Sequence, residues 1–235
     1  EVLGVLFDAT KARGFTHKGI DGYIMSPDEK NILIETNRTS IYRHPATSVY
    51  YIYNVKNATA VPLSNGGPQE CPKFSPDGNQ IAFVRDNNIF LVKLLFNNAE
   101  SQITNDGEFN KIINGKPDWV YEEEFSFNCA FDFSADSEML AWSRFDESEV
   151  KPFSFPWYKG SAPTKNEDAL YPGTYEYKYP KAGEDNSKVS VLTYDIKSRV
   201  TRTMAVPLDK DGYIPRIQFT GDKNKLMVLT QNRHQ

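Results

Sequence analysis

Phe74-Ser75-Pro76-Asp77-Gly78, running into Ile81-Ala82-Phe83-Val84, reads as a tight turn that feeds a buried strand, and the pattern recurs. Met25-Ser26-Pro27-Asp28 leads into Asn31-Ile32-Leu33-Ile34. Two weaker copies are Phe133-Ser134-Ala135-Asp136 before Met139-Leu140-Ala141-Trp142, and Phe219-Thr220-Gly221-Asp222 before Leu226-Met227-Val228-Leu229. The hydroxyl residue and the Asp can each bond nearby backbone N–H groups and so cap a turn. The short apolar run after it has the length of a buried strand. Each unit is predicted to be a β-hairpin.

A further strand follows several hairpins: Val49-Tyr50-Tyr51-Ile52-Tyr53, Asn88-Ile89-Phe90-Leu91-Val92 and Val189-Ser190-Val191-Leu192-Thr193-Tyr194. Sheets of about four strands result, the size of a propeller blade. The copies at Ser26, Ser75, Ser134 and Thr220 start 49, 59 and 86 residues apart. Only the first spacing suits a bare blade of about 40–50 residues, so insertions are expected near residues 111–128 and 151–186. The fold class is therefore all-β, about four propeller blades over residues 1–235. In the second insertion Pro152, Pro156, Pro163, Pro172 and Pro180 exclude a long helix. Tyr175, Tyr177 and Tyr179 alternate as on an extended strand, which could pair with another chain or fold back on its own sheet.

The 235 residues are 39% hydrophobic and 13% aromatic, ample for a core. A net charge of -4 gives no basic field for nucleic acid or anionic membrane. No apolar run of about 18 residues could span a bilayer. The first residues, Glu-Val-Leu-Gly-Val-Leu-Phe-Asp, carry no targeting signal. Cys71 and Cys129 are far apart in sequence and read as buried thiols. The sequons at Asn37 and Asn57 do not fix a compartment.

Asp118-Trp119-Val120-Tyr121-Glu122-Glu123-Glu124-Phe125 sets three carboxylates in an aromatic frame. The aromatic side chains must be buried, so the carboxylates should sit against a packed wall, where they suit a metal or a protonated amine. A plain acidic loop is the bland reading. A glycosidase pair is disfavoured because neighbours on one segment rarely stand the required ~5 Å or more apart around a scissile bond. A hard metal would need more oxygen ligands than the sequence points to. Amine capture remains, since an ammonium has three donors that two carboxylates can accept. Arg43, in Tyr42-Arg43-His44-Pro45, could orient a Glu or donate to a carbonyl, with a structural ion pair as the alternative. No Gly-x-Ser-x-Gly elbow occurs, and His17, His44 and His234 have no recognisable catalytic setting.

Together these residues resemble the propeller domain of dipeptidyl peptidase IV and its bacterial relatives, in the prolyl oligopeptidase clan of serine peptidases. Asp118 to Glu124 looks like the family's double-glutamate signature and Tyr42-Arg43-His44 like its substrate-binding Arg segment. Tyr179-Pro180-Lys181-Ala182-Gly183, Asp211-Gly212-Tyr213-Ile214-Pro215-Arg216 and Leu229-Thr230-Gln231-Asn232-Arg233 also match. The resemblance implies a fragment of an eight-bladed propeller, with a short helical insertion carrying the Glu motif and an extended arm. It implies substrate-binding roles for Glu123 and Glu124, which would hold a peptide's free amino terminus, and for Arg43, which would bind a substrate carbonyl. No catalytic residue, metal or cofactor is expected here.

By the same resemblance the whole protein would release Xaa-Pro or Xaa-Ala dipeptides, with the propeller gating the substrate. The α/β-hydrolase domain is expected to be its partner and to carry the nucleophile, leaving this chain inactive alone. A homodimer through the arm at residues 171–186 is a further expected partnership, and the family setting is periplasmic, secreted or membrane-anchored. A prolyl tripeptidyl peptidase propeller and a TolB-like protein-binding propeller are the rival readings.

Overall fold

In a computed structural model, which describes residues 4–41, 43–158 and 170–234, the turn motifs share one hydrogen-bond pattern. Tyr42 and Pro163, named above, lie outside the described residues. At the first three turns the Ser hydroxyl donates to the Asp two positions on, at 2.7 Å (Ser26), 2.5 Å (Ser75) and 2.6 Å (Ser134). The same hydroxyl accepts from the N–H five positions on, that of Asn31, Gln80 or Met139, at 3.0, 3.0 and 2.9 Å. Each turn also places the residue three after Ser in the left-handed region: Glu29 (φ 58), Gly78 (φ 72) and Ser137 (φ 62). Only the second turn uses the residue that adopts this conformation without a Cβ clash. At the fourth turn Thr220 Oγ1 accepts from Asp222 N instead, at 3.1 Å.

These turns generate antiparallel sheets. The first has the order β1 (Gly22–Met25), β2 (Asn31–Ser40), β3 (Ala46–Asn54), β4 (Thr59–Pro62). The second has the order β5 (Glu70–Phe74), β6 (Gln80–Arg85), β7 (Asn88–Lys93), β8 (Ala99–Gln102). The third adds a short strand β9 (Ile112–Asn114) beside the meander β10 (Phe131–Phe133), β11 (Met139–Asp146), β14 (Lys188–Asp195), β15 (Val200–Thr203). Between β11 and β14 a separate ribbon projects, made of β12 (Pro152–Trp157) and β13 (Gly173–Lys178). The third sheet resumes with β14 (Lys188–Asp195) and β15 (Val200–Thr203), and β16 (Tyr213–Phe219) pairs with β17 (Leu226–Gln231). The chain is thus nearly all-β, a partial β-propeller of four-stranded blades.

Face-to-face stacking of the blades explains why the inner strands read as unbroken apolar runs rather than as alternating ones. Ile81 and Phe83 of β6 pack toward the first blade with Leu33, Ile52 and Leu63. Their neighbours Ala82 and Val84 face the third blade with Phe131, Leu140 and Trp142. All four β6 residues are fully buried. The arm strand β13, by contrast, pairs with β12 inside the insertion, so neither proline of β12 interrupts a central strand.

Candidate functional site

A single two-turn helix, α1 (Trp119–Phe125), carries the glutamates. Seven residues cannot hold a helix in water unaided, so its stability must come from capping and packing. Asp118 caps the amino end by accepting from Tyr121 N at 2.9 Å, and its other oxygen accepts from the Ser187 hydroxyl at 2.5 Å. Burial pushes the Asp118 carboxyl up despite these bonds. At the other end Ser126 adopts the left-handed conformation and its N–H returns to Glu122 O at 3.1 Å.

The packing face is Tyr121, buried between Phe125, Phe145 and Tyr213 with ring centroids 5.2, 4.8 and 5.9 Å away. Its hydroxyl accepts from Ile214 N at 3.0 Å, while Arg216 donates to Phe125 O at 2.6 Å. Trp119 packs against Tyr179 at the base of the arm, 4.2 Å between centroids and tilted by 45°. Tyr213, Arg216 and Tyr179 all fall in the short matching stretches noted in the sequence. They hold the helix, and Tyr179 and Tyr213 also line the groove beside it.

Successive helical residues point about 100° apart, so the three glutamates meet three environments. Glu122 is fully buried; one oxygen contacts His44 Nδ1 and the other, Oε2, has no hydrogen-bond partner among the described residues. Glu123 meets Arg43 through Oε2, 3.3 Å from Nη1, with Glu123 17% and Arg43 69% exposed. Glu124 is exposed and faces a groove lined by Tyr179, Lys181 and Arg233. Of the residues singled out in the sequence, Arg43 and Glu123 are therefore brought together, while Glu124 turns to the adjoining groove. The ion pair and the orientation of a Glu, set out as alternatives for Arg43, are one and the same contact.

His44 was missed as a member of this cluster, although its place next to Arg43 was the available signal. The His44–Glu122 contact joins residues 78 apart and pins the Arg43 loop to the helix. His17 is half-buried against Phe15 and Tyr51, with Nε2 3.3 Å from the Tyr51 hydroxyl.

Behind the helix a cavity of about 100 Å³ is lined by Glu70, Lys116, Asp118, Glu122 and Glu147. Lys116 donates to Glu70 at 2.6 Å. Glu147 is buried, and desolvation, reinforced by the Asp118 charge, pushes its carboxyl up from 4.5 to about 7. Between those values the folded chain holds a proton that the unfolded chain has released, so this group costs stability as pH rises through the window. Glu147→Gln should therefore match the wild type near pH 4 and exceed it at pH 8 by up to about 3 kcal/mol. Urea denaturation at the two pH values checks this, and equal gains at both would reject the buried-carboxyl account.

Comparison with known proteins agrees with this architecture. Residues 26–235 match the family model of the dipeptidyl peptidase IV (DPP IV) N-terminal region. The crystal structure of Porphyromonas gingivalis dipeptidyl peptidase 4 superposes with a TM-score of 0.93 at 44% identity, over 99% of this chain and 32% of that one. Among curated relatives, the dipeptidyl aminopeptidase B of Saccharomyces cerevisiae is 32% identical over 94% of this chain and 27% of its own length. The probable dipeptidyl-aminopeptidase B of Arthroderma benhamiae is 35% identical over 88% of this chain and 24% of its own. The chain thus spans about a quarter of the length of these relatives. A match over all but the first 25 residues, on a blade architecture and helix that the residues themselves account for, shows that the chain belongs to the family of the dipeptidyl peptidase IV N-terminal region.

Proposed function

We propose that this chain is the substrate-gating propeller part of a DPP IV-type serine exopeptidase and that Glu123, with Glu124 beside it, anchors the free amino terminus of a peptide. The observation that carries the reading is the Arg43–Glu123 pair at 3.3 Å, set on a helix fixed by a buried tyrosine yet open to solvent on the side of the pair. A carboxylate held by a guanidinium is kept ionised and oriented, ready to accept from an incoming ammonium. Arg43, more than two thirds exposed, keeps donors to offer to the carbonyl of the second residue.

Fixing the amine at a set distance from a nucleophile in another domain selects which bond is cut, since only the correctly spaced carbonyl reaches the reactive centre. The propeller would measure and the hydrolase domain would cut, with this chain inactive by itself. The ribbon of β12 and β13 offers Trp157, Tyr158 and Tyr171 at its exposed surface, which suits the expected homodimer contact. A membrane-anchored or secreted setting accords with such an enzyme.

The test uses the full-length protein and two substrates, a Xaa-Pro peptide with a free amine and the same peptide N-acetylated. Acetylation removes the charge and two of the three donors, so kcat/KM should fall by about two orders of magnitude or more. Mass analysis should show release of two residues. Equal turnover of both peptides would reject amine anchoring, and release of three residues would move the anchor farther from the nucleophile.

A further inference from the structure

We propose that Cys71 and Cys129 form a dithiol site that reacts with small-molecule disulfides and closes, by thiol–disulfide exchange, into a covalent clasp between the second and third blades. The two cysteines are 58 residues apart, yet the fold sets them side by side. Cys71 lies at a bulge in β5, where the register slips between Glu70 and Lys73 and its own φ is 40°. That departure from the ladder lets its side chain leave the plain alternation of the strand. Cys129 lies on the segment that leaves α1, next to Ala130, whose N–H donates to Gly115 O at 2.8 Å. The same carbonyl stands 3.8 Å from Cys71 Sγ, and Cys129 Sγ stands 3.8 Å from Cys71 O. Both side chains thus converge on the same stretch of backbone and line one cavity.

Both thiols pack against the core between the second and third blades and keep one side on a cavity. Both are free and half-buried, and both line a cavity of about 530 Å³ whose wall includes Arg38, His44, Lys73 and Asp132. A small disulfide can approach from that side. The expectation of buried free thiols holds in part: both pack against the core between the second and third blades, and the bulge and the helix exit also bring them to a cavity wall.

The two sulfurs are not equivalent. The neighbouring Cys71 thiol, with help from the Lys73 charge, lowers the Cys129 thiol against the effect of burial, whereas burial raises Cys71. With Lys73 on the same cavity wall to favour a thiolate, Cys129 is assigned the first attack. It bonds to one sulfur of a disulfide R–S–S–R, whose S–S bond breaks, and RS⁻ leaves to take up a proton. Cys71 then loses its proton as it attacks the Cys129 sulfur of the mixed disulfide and expels a second RSH. Two thiols are oxidised and one external disulfide is reduced to two thiols, so atoms and electrons balance. Since Cys129 lies five residues beyond Glu124, the clasp would tether the exit of the glutamate-bearing helix to the neighbouring blade.

The native protein, incubated with oxidised glutathione and weighed by mass spectrometry without reduction, should lose two hydrogens and keep no glutathione. Digestion should then yield the Cys71 and Cys129 peptides joined. Cys71→Ser should stop at one glutathione adduct on Cys129 and form it at a rate within about threefold of wild type, whereas Cys129→Ser should react about tenfold or more slowly. The wild-type masses decide the matter even if a variant misfolds. A lasting adduct on each cysteine, or no reaction of the native protein while the urea-unfolded chain reacts, overturns the proposal.

Discussion

Glu123→Ala in the full-length protein is expected to lower kcat/KM for a free-amine Xaa-Pro substrate by about 10²–10³-fold, the largest effect of any surface substitution in this chain. The size follows from two losses that act together. A charge-assisted hydrogen bond to the ammonium contributes about 1.5–3 kcal/mol, and Arg43, 3.3 Å from Glu123 in the resting structure, would lose its orienting carboxylate. Glu123→Gln keeps the shape and one acceptor, and should recover part of the loss. Glu124→Ala should also impair turnover, but through the adjoining groove beside Lys181 and Arg233. The N-acetylated peptide supplies the control. If Glu123 acts on the amine, the variant should lose most of its preference for the free over the blocked substrate. An equal proportional loss on both peptides would mean that the residue only supports the local fold.

Trp142→Ala should destabilise the region where the second and third blades meet by about 5 kcal/mol. Trp142 is 1% exposed and packs with Val84, Ile89 and Leu91 across the blade interface. Deleting the indole leaves a large cavity, for which about 3–5 kcal/mol is usual. It also strands a buried acceptor, because the indole N–H donates to Asn114 Oδ1 at 3.0 Å and Asn114 is itself 1% exposed. Trp142→Phe removes the hydrogen bond with far less volume and should cost about half as much. Stacked blades need not unfold as a single two-state unit, so amide hydrogen exchange is the suitable measurement. Protection should fall in β6 and β11 and persist in β2 and β3. Uniform loss across all blades would show that the interface does not confine the damage.

Both predictions rest on features that differ in how far they could be read from residues. The turn motif was legible because its bonds close within five positions: Ser75 reaches Asp77 and Gln80 and nothing beyond. The buried runs were legible too, since Ile81 to Val84 have no polar face to show to water. Asp118 was legible as a helix cap only once α1 is known, for an Asp before an aromatic-rich heptad fits a turn equally well. The different outlooks of Glu122, Glu123 and Glu124 follow from the 100° step of a helix. Which of them is buried does not.

Local chemistry, then, carried the hairpins, the four-stranded sheets and the family resemblance, because turn capping and strand burial act between near neighbours in the chain. The pairings that make the site came from elsewhere. Arg43 meets Glu123 and His44 meets Glu122 across about 80 positions, Cys71 meets Cys129 across 58, and Glu147 comes to share a cavity with Asp118 and Glu122. Each depends on how one blade stacks on the next and where the inserted helix is clamped, quantities set by the summed packing of side chains such as Tyr121, Phe145 and Trp142. No short stretch of residues contains that sum, so Glu123, Glu124 and Arg43 were visible in the sequence, whereas the places of His44 and Glu147 and the geometry of the site were decided by the stack.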